Sequence, residues 1–271
     1  MRRLPLYVPG DPPLYKFARG LLTSGLRLYG RYDVTGAWHL PATGPAIVVS
    51  NHPSDIDPII LGLAFPRPLH FMADAVQFRR GFVGRVIPHL GAFAVRKGEP
   101  DRDALRTALD LLAAGEVVAL FPEGDMYADD TMHPFERGIG YLSAASGAPV
   151  VPAAITGSYA ITDGRWLGRP TIRLTVGEPV DLDGVEGRGH RAHALRASLV
   201  EAAVRELREQ GELAERETAE RRRSAGDWRS EPESALLLGE RDAPDWCAWP
   251  GEAGLGEADD EAEPEAEPAG I

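Results

Sequence analysis

An α/β fold, with a single mixed, largely parallel sheet flanked by helices, is the class this sequence predicts, and three observations predict it. Short apolar runs rich in β-branched residues alternate with stretches of helical period. The runs are apolar throughout, as strands covered on both faces are. The chain has 271 residues with 44% apolar content, enough for one substantial core, and its composition breaks sharply near residue 225. The expected organisation is therefore an N-terminal amphipathic segment (1–31), one domain (32–224) and an acidic tail (225–271).

The N-terminal segment comes first. Between Pro12 and Gly30, Leu14, Phe17, Leu21, Leu22, Leu28 and Tyr29 fall roughly on one helical stripe, and Lys16, Arg19, Arg27 and Arg31 add positive charge. Residues 1–40 hold six basic and two acidic side chains, a balance that favours an anionic lipid surface. The same stripe also suits a helix packed on its own domain. No run of about 18–20 apolar residues occurs, so no transmembrane helix is expected. Pro5, Pro9, Asp11 and Pro12 interrupt any signal-peptide core.

Within the domain, 46–50 (AIVVS) reads as a short buried strand and 58–65 as a helix. Strands are expected at 69–73 and 92–95, with a helix over 78–90 between them. Over 101–114, Leu105, Leu109 and Leu112 recur at helical spacing and Gly115 stands at the stop. A buried strand at 117–121 follows, then a helix at 135–146, extended chain at 149–155, an alternating strand at 171–176 and a long helix at 191–208. No internal repeat is visible.

From Ala225 onward there are 14 acidic and two basic residues, so the tail carries the whole net charge of −12 and the preceding 224 residues are neutral. Its Ala, Glu, Asp, Pro and Gly cannot bury enough apolar surface to order it, and disorder is expected from about Glu252. The single cysteine, Cys247, excludes an internal disulfide framework and a multi-cysteine metal site, and suits a reducing cytoplasm. No basic stripe supports nucleic-acid binding. His190 and His193 lie at helical spacing without an evident metal-binding partner, and no metal is expected.

The chemistry points to Asn51-His52-Pro53-Ser54-Asp55-Ile56-Asp57-Pro58, directly after the strand AIVVS. A histidine leaving the C-terminal edge of a buried strand stands where α/β proteins expose reactive groups. Pro53 biases His52 toward extended backbone. On one continuous helix His52 and Asp57 would be about 500° apart, so they meet only if His52 precedes the helix. Pro58 suits the first helical position and makes Asp57 a cap. Such a carboxylate can hold an imidazole in one tautomer, leaving the other nitrogen to take a proton from a hydroxyl. Taken alone, Asp57 reads first as a plain helix cap and His52 as a loop residue bound to a backbone carbonyl.

Asn-His-x4-Asp after an apolar strand resembles the first motif of the glycerolipid acyltransferases typified by lysophosphatidic acid acyltransferase. Three later segments fall in that family's order: Gly91-Ala92-Phe93-Ala94-Val95-Arg96, Phe121-Pro122-Glu123-Gly124 and Val150-Val151-Pro152. The resemblance, over residues 47–152, implies an O-acyltransferase of phospholipid biosynthesis. It would move a fatty acyl group from acyl-CoA or acyl carrier protein to a lysolipid hydroxyl, on the cytoplasmic face of a membrane as a peripheral protein. His52 and Asp57 would act as the catalytic dyad without an acyl-enzyme. Asn51, Ser54, Arg96, Glu123 and Gly124 would line the acceptor cleft, with Arg96 on a phosphate and Glu123 on acceptor hydroxyls or on Arg96; the alternatives are a strand-end Arg96 bridging to a surface carboxylate and a plain strand-to-loop turn at Glu123-Gly124. No cofactor is implied beyond the thioester co-substrate. Asp125 and Met126 depart from the family's third motif, where a hydroxyl residue and an arginine are usual, and Asp74 stands near a usual lysine. These changes leave the acyl-transfer centre intact and open the acceptor to another hydroxylated lipid or metabolite, or the protein to an idle lipid-binding role.

Overall fold

The computed structural model describes residues 31–79, 91–96, 101–127, 130–162, 171–187 and 189–224, with isolated positions at 24, 25, 81 and 87. All of them fall within the unit Met1–Glu231. In chain order the elements are β1 Arg31–Thr35, β2 Ala46–Ser50, α1 Asp57–Ala64, β3 Leu69–Asp74, β4 Phe93–Val95, α2 Arg102–Ala113, β5 Val117–Leu120, α3 Gly138–Ser146, β6 Val150–Thr156, α4 Tyr159–Thr162, β7 Thr171–Val176 and α5 His190–Ser224. Short 3-10 turns cover Ala37–His39 and Gln77–Arg79.

Seven strands form one sheet in the order β1-β7-β6-β2-β5-β3-β4. All neighbours are parallel except β6 and β7, which run antiparallel. This is the mixed, largely parallel sheet that the apolar runs imply. The central strands are buried because both faces are covered. Ala46 and Val48 of β2 face a core with Ile60, Leu61 and Phe65, while Ile47 and Val49 face a second core with Ala108, Leu112, Leu142, Val200 and Val204. Each fully buried Val, Ile or Leu contributes about 1.5–3 kcal/mol, so the two faces together fix β2 at the centre. The C-terminal ends of β2, β3, β4, β5 and β6 all reach the same edge.

Several elements differ from expectation, each for a physical reason. The helix expected from 135 starts at Gly138, and the residues before it tie to other elements. Phe135 N–H donates to Glu201 and Glu136 N–H to the carbonyl of Pro122. The helix expected over 191–208 runs on to Ser224, carried by Gly211 against Thr156 and by a hydrogen bond from Thr156 to Glu215. β1 and α4 are additional to the sequence reading. Most of the helix expected over 78–90, the amphipathic segment before Arg31 apart from 24 and 25, and the tail from 225 lie outside the described residues. Among the described residues, no helix is long and apolar enough to cross a membrane, and no group of three or more His, Cys, Asp or Glu side chains is arranged to hold a metal ion.

Candidate active site

At the C-terminal end of β2 the chain turns sharply before entering α1. Asp57 N–H donates to the carbonyl of Ser54 and Ser54 N–H donates to Oδ2 of Asp57 at 2.6 Å, so residues 54–57 close on themselves. Ile56 is the N-cap and Asp57 already lies in the helix, with Pro58 in the first turn. Asp57 is therefore not the cap that its position before a proline implied. Its carboxylate turns back toward the preceding loop and meets Nδ1 of His52 at 3.0 Å. Oδ2 takes both bonds, so one oxygen fixes the turn and the imidazole together.

The Asp57 side chain is fully buried and that of His52 is 20% exposed. The imidazole thus stays reachable while its partner is shielded from water. An ionised carboxylate only accepts, so Nδ1 carries the proton and Nε2 is left as an acceptor. Burial pushes the Asp57 carboxyl above its ordinary range, opposed by His52, the Ser158 hydroxyl and Ser54 N–H. The ring of Phe121 stacks on His52 at 4.2 Å with a 20° tilt, and Phe71 stacks behind Phe121 at 6.2 Å. The imidazole is held by its edge and by its face.

The expected cleft residues have other partners. The amide of Asn51, 1% exposed, donates to Ile155 O at 2.9 Å and accepts from Ile155 N–H at 2.8 Å. It ties the end of β2 to β6 instead of facing a substrate. Ser54 is likewise buried and belongs to the turn. Glu123 clamps two loops: Oε1 accepts from His52 N–H and Oε2 from His133 N–H, each at 2.8 Å. Burial raises its carboxyl, and these two backbone donors oppose the rise. With both oxygens engaged, Glu123 orients the His52 loop and makes no bond to Arg96. Gly124 has φ +77, where a Cβ would sit 2.6 Å from Glu136 Oε1. The conformation of that turn calls for glycine without any ligand.

Residues 31–156 match the family model described as Acyltransferase. The chain is similar to the 1-acyl-sn-glycerol-3-phosphate acyltransferase of Bacillus subtilis (strain 168), 31% identical over 169 residues that make up 62% of this chain and 82% of that protein. The chain belongs to the acyltransferase family. It is also similar to 1-acyl-sn-glycerol-3-phosphate acyltransferase alpha of Mus musculus, 29% identical over 63% of this chain and 62% of that protein. Its fold resembles the crystal structure of the 1-acyl-sn-glycerophosphate (LPA) acyltransferase PlsC from Thermotoga maritima, with TM-score 0.54, 28% identity and coverage of 71% of this chain and 79% of that one.

In this acyltransferase Arg96 stands apart from the dyad. Strand register puts it level with His52 but three strands across, a separation of about 14 Å. It is 71% exposed, with Nε 3.2 Å from Asp101 and Nη2 3.9 Å from Asp103. Arg96 thus bridges to the carboxylate that caps α2, five residues on, the alternative open to a strand-end arginine. Sequence reasoning gave no role to Phe121 and missed Ser158. The aromatic was visible in its motif, but only strand order brings β5 and β6 against β2.

Proposed function

We propose that this O-acyltransferase moves a fatty acyl group from an acyl thioester, of coenzyme A or acyl carrier protein, to a hydroxyl of lysophosphatidic acid or a related lysolipid. The observation that carries the reading is the 3.0 Å contact between His52 Nδ1 and Asp57 Oδ2 at the exposed edge of the sheet. It leaves Nε2 to remove the acceptor's proton while the hydroxyl oxygen attacks the thioester carbonyl. The C–S bond then breaks, and the carrier leaves as a thiol after taking up the proton. Asp57 stabilises the transient imidazolium. No cofactor beyond the thioester enters these steps. The names of the relatives support lysophosphatidic acid as the acceptor.

A second acceptor class is favoured by Asp125 and Met126 and by the Arg96–Asp101 pair, which leaves that guanidinium compensated. A lysolipid or other hydroxylated lipid without a phosphate monoester fits those changes. Thiol release from acyl-CoA and from acyl carrier protein thioesters, across acceptors with and without a phosphate, tests the reading. The expected result is acceptor-dependent release that falls about 10²–10⁴-fold in His52→Ala. Unchanged release in that variant defeats the dyad. Membrane binding through the N-terminal amphipathic segment, on the cytoplasmic face, is part of the same proposal and is supported by its basic, apolar stripe.

A further inference from the structure

Two buried polar atoms in the site make no hydrogen bond: Oδ1 of Asp57 and Oγ of Ser158. Both residues are fully buried, where an unmatched acceptor and an unmatched donor each carry a desolvation penalty. The fold brings them together. β2 and β6 are direct neighbours, Ser50 pairing with Ala153, and Asn51 locks the end of β2 to Ile155. Gly157 then turns the chain at φ +79, where a Cβ would lie 2.0 Å from the carbonyl of Thr171. Ser158 follows this turn and its own carbonyl accepts from Ile161 N–H, which ties its backbone, so a turn of the side chain about χ1 is what re-aims its hydroxyl.

We propose that Ser158 is a positioning residue of the dyad: its hydroxyl rotates to donate to Oδ1 of Asp57, completing a Ser158–Asp57–His52 chain that holds the carboxylate while His52 takes the acceptor's proton. The proposal rests on the His52–Asp57 reading above and deepens it. The division of labour is simple. Oδ2 serves Ser54 N–H and His52 Nδ1, while Oδ1 has no other donor within reach among the described residues. The Ser158 hydroxyl also favours the ionised form of Asp57, against the burial that opposes it. His52 is the charged or titratable group acting on Asp57, and Glu123, in the loop after β5, acts on His52 and accepts from its N–H.

Loss of the hydroxyl makes the coupled pair bind its first proton more tightly, whichever partner holds it. The acid limb of kcat/KM against pH must then move upward. The test is that profile for the full chain, with the donor and acceptor that give the fastest thiol release, in wild type, Ser158→Ala, Ser158→Cys and His52→Ala, with thermal melting as the folding control. Ser158→Ala is expected to melt normally and to shift the acid limb up by about half to one pH unit. Ser158→Cys, of similar shape but a weak donor, should also shift, by less. An unshifted limb in Ser158→Ala, or a Cys variant that restores the wild-type limb through packing alone, overturns the assignment. In either case an inactive His52→Ala leaves the dyad standing, whereas an active His52→Ala removes the dyad itself.

Discussion

The His52–Asp57 pair depends on which atoms carry protons. Oδ2 of Asp57 accepts from Ser54 N–H as well as facing Nδ1, so Asp57→Asn keeps the turn by placing its amide oxygen there and holds the same imidazole tautomer without the negative charge. The imidazolium then loses its stabilising partner. Activity should fall in kcat by about 10²–10⁴-fold with the backbone unchanged. Stability should move the opposite way. The folded-state pKa of Asp57 is raised, chiefly by burial, so the folded protein binds that proton more tightly than the unfolded chain does. Stability is fully present below the ordinary carboxylate range and is lost as pH rises toward the folded pKa. Asp57→Asn, which never ionises, should therefore melt higher than wild type at pH 7 and alike near pH 3, measured by calorimetry. A lower melting temperature at pH 7 contradicts this. The pair was legible from sequence because Asn-His-x4-Asp-Pro follows an apolar strand, and the proline marks where the helix opens. The carboxylate's turn back onto residues 52–54, with Ile56 as the cap, was not, since it depends on a local bond between Ser54 and Asp57.

At the scale of an element, Asp101 shows one residue serving two structures. Its side chain accepts from the N–H groups of Asp103 and Ala104, capping α2, and from Arg96. Burial would raise its carboxyl, but these donors hold it at about 2. Stability from this cap is present above the ordinary value of 3.8 and is lost as pH falls through about 2. Asp101→Ala should lower stability by about 1 kcal/mol, which is roughly 2–4 °C in Tm for a domain of this size. The difference from wild type should shrink below pH 3. If instead Arg96 engages acceptor phosphate, Arg96→Ala raises KM for phosphate-bearing acceptors and spares neutral ones; a purely structural Arg96 leaves both KM values alone. α2 itself was readable because its leucines recur at helical spacing and Gly115 ends it. α5 was read short: after Arg208 the residues are charged and Gly211 looks like a break. It continues because Gly211 lets the helix lie against Thr156, a contact visible only once β6 is in place.

For the whole molecule, the alternation of buried runs and helical stretches was enough to give a parallel sheet with covered faces. It was not enough to give strand order. The order β1-β7-β6-β2-β5-β3-β4 places segments far apart in sequence around His52, which explains why Phe121 and Ser158 carried no sequence signal of their roles. The same order turns Asn51 and Glu123 into ties between loops. The amphipathic stripe before Arg31 belongs to this scale too. Removing residues 1–31 should reduce flotation with anionic liposomes, and raising salt should weaken binding of the intact chain; equal flotation of both chains contradicts a membrane role for that segment. Direct transfer on a sheet-edge histidine, with no acylated enzyme, has its most direct test in intact-mass spectrometry of the wild-type protein held with an acyl thioester before any acceptor is added. An unchanged mass, with thiol appearing only after the lysolipid, is the expected result. A protein heavier by one acyl group contradicts it.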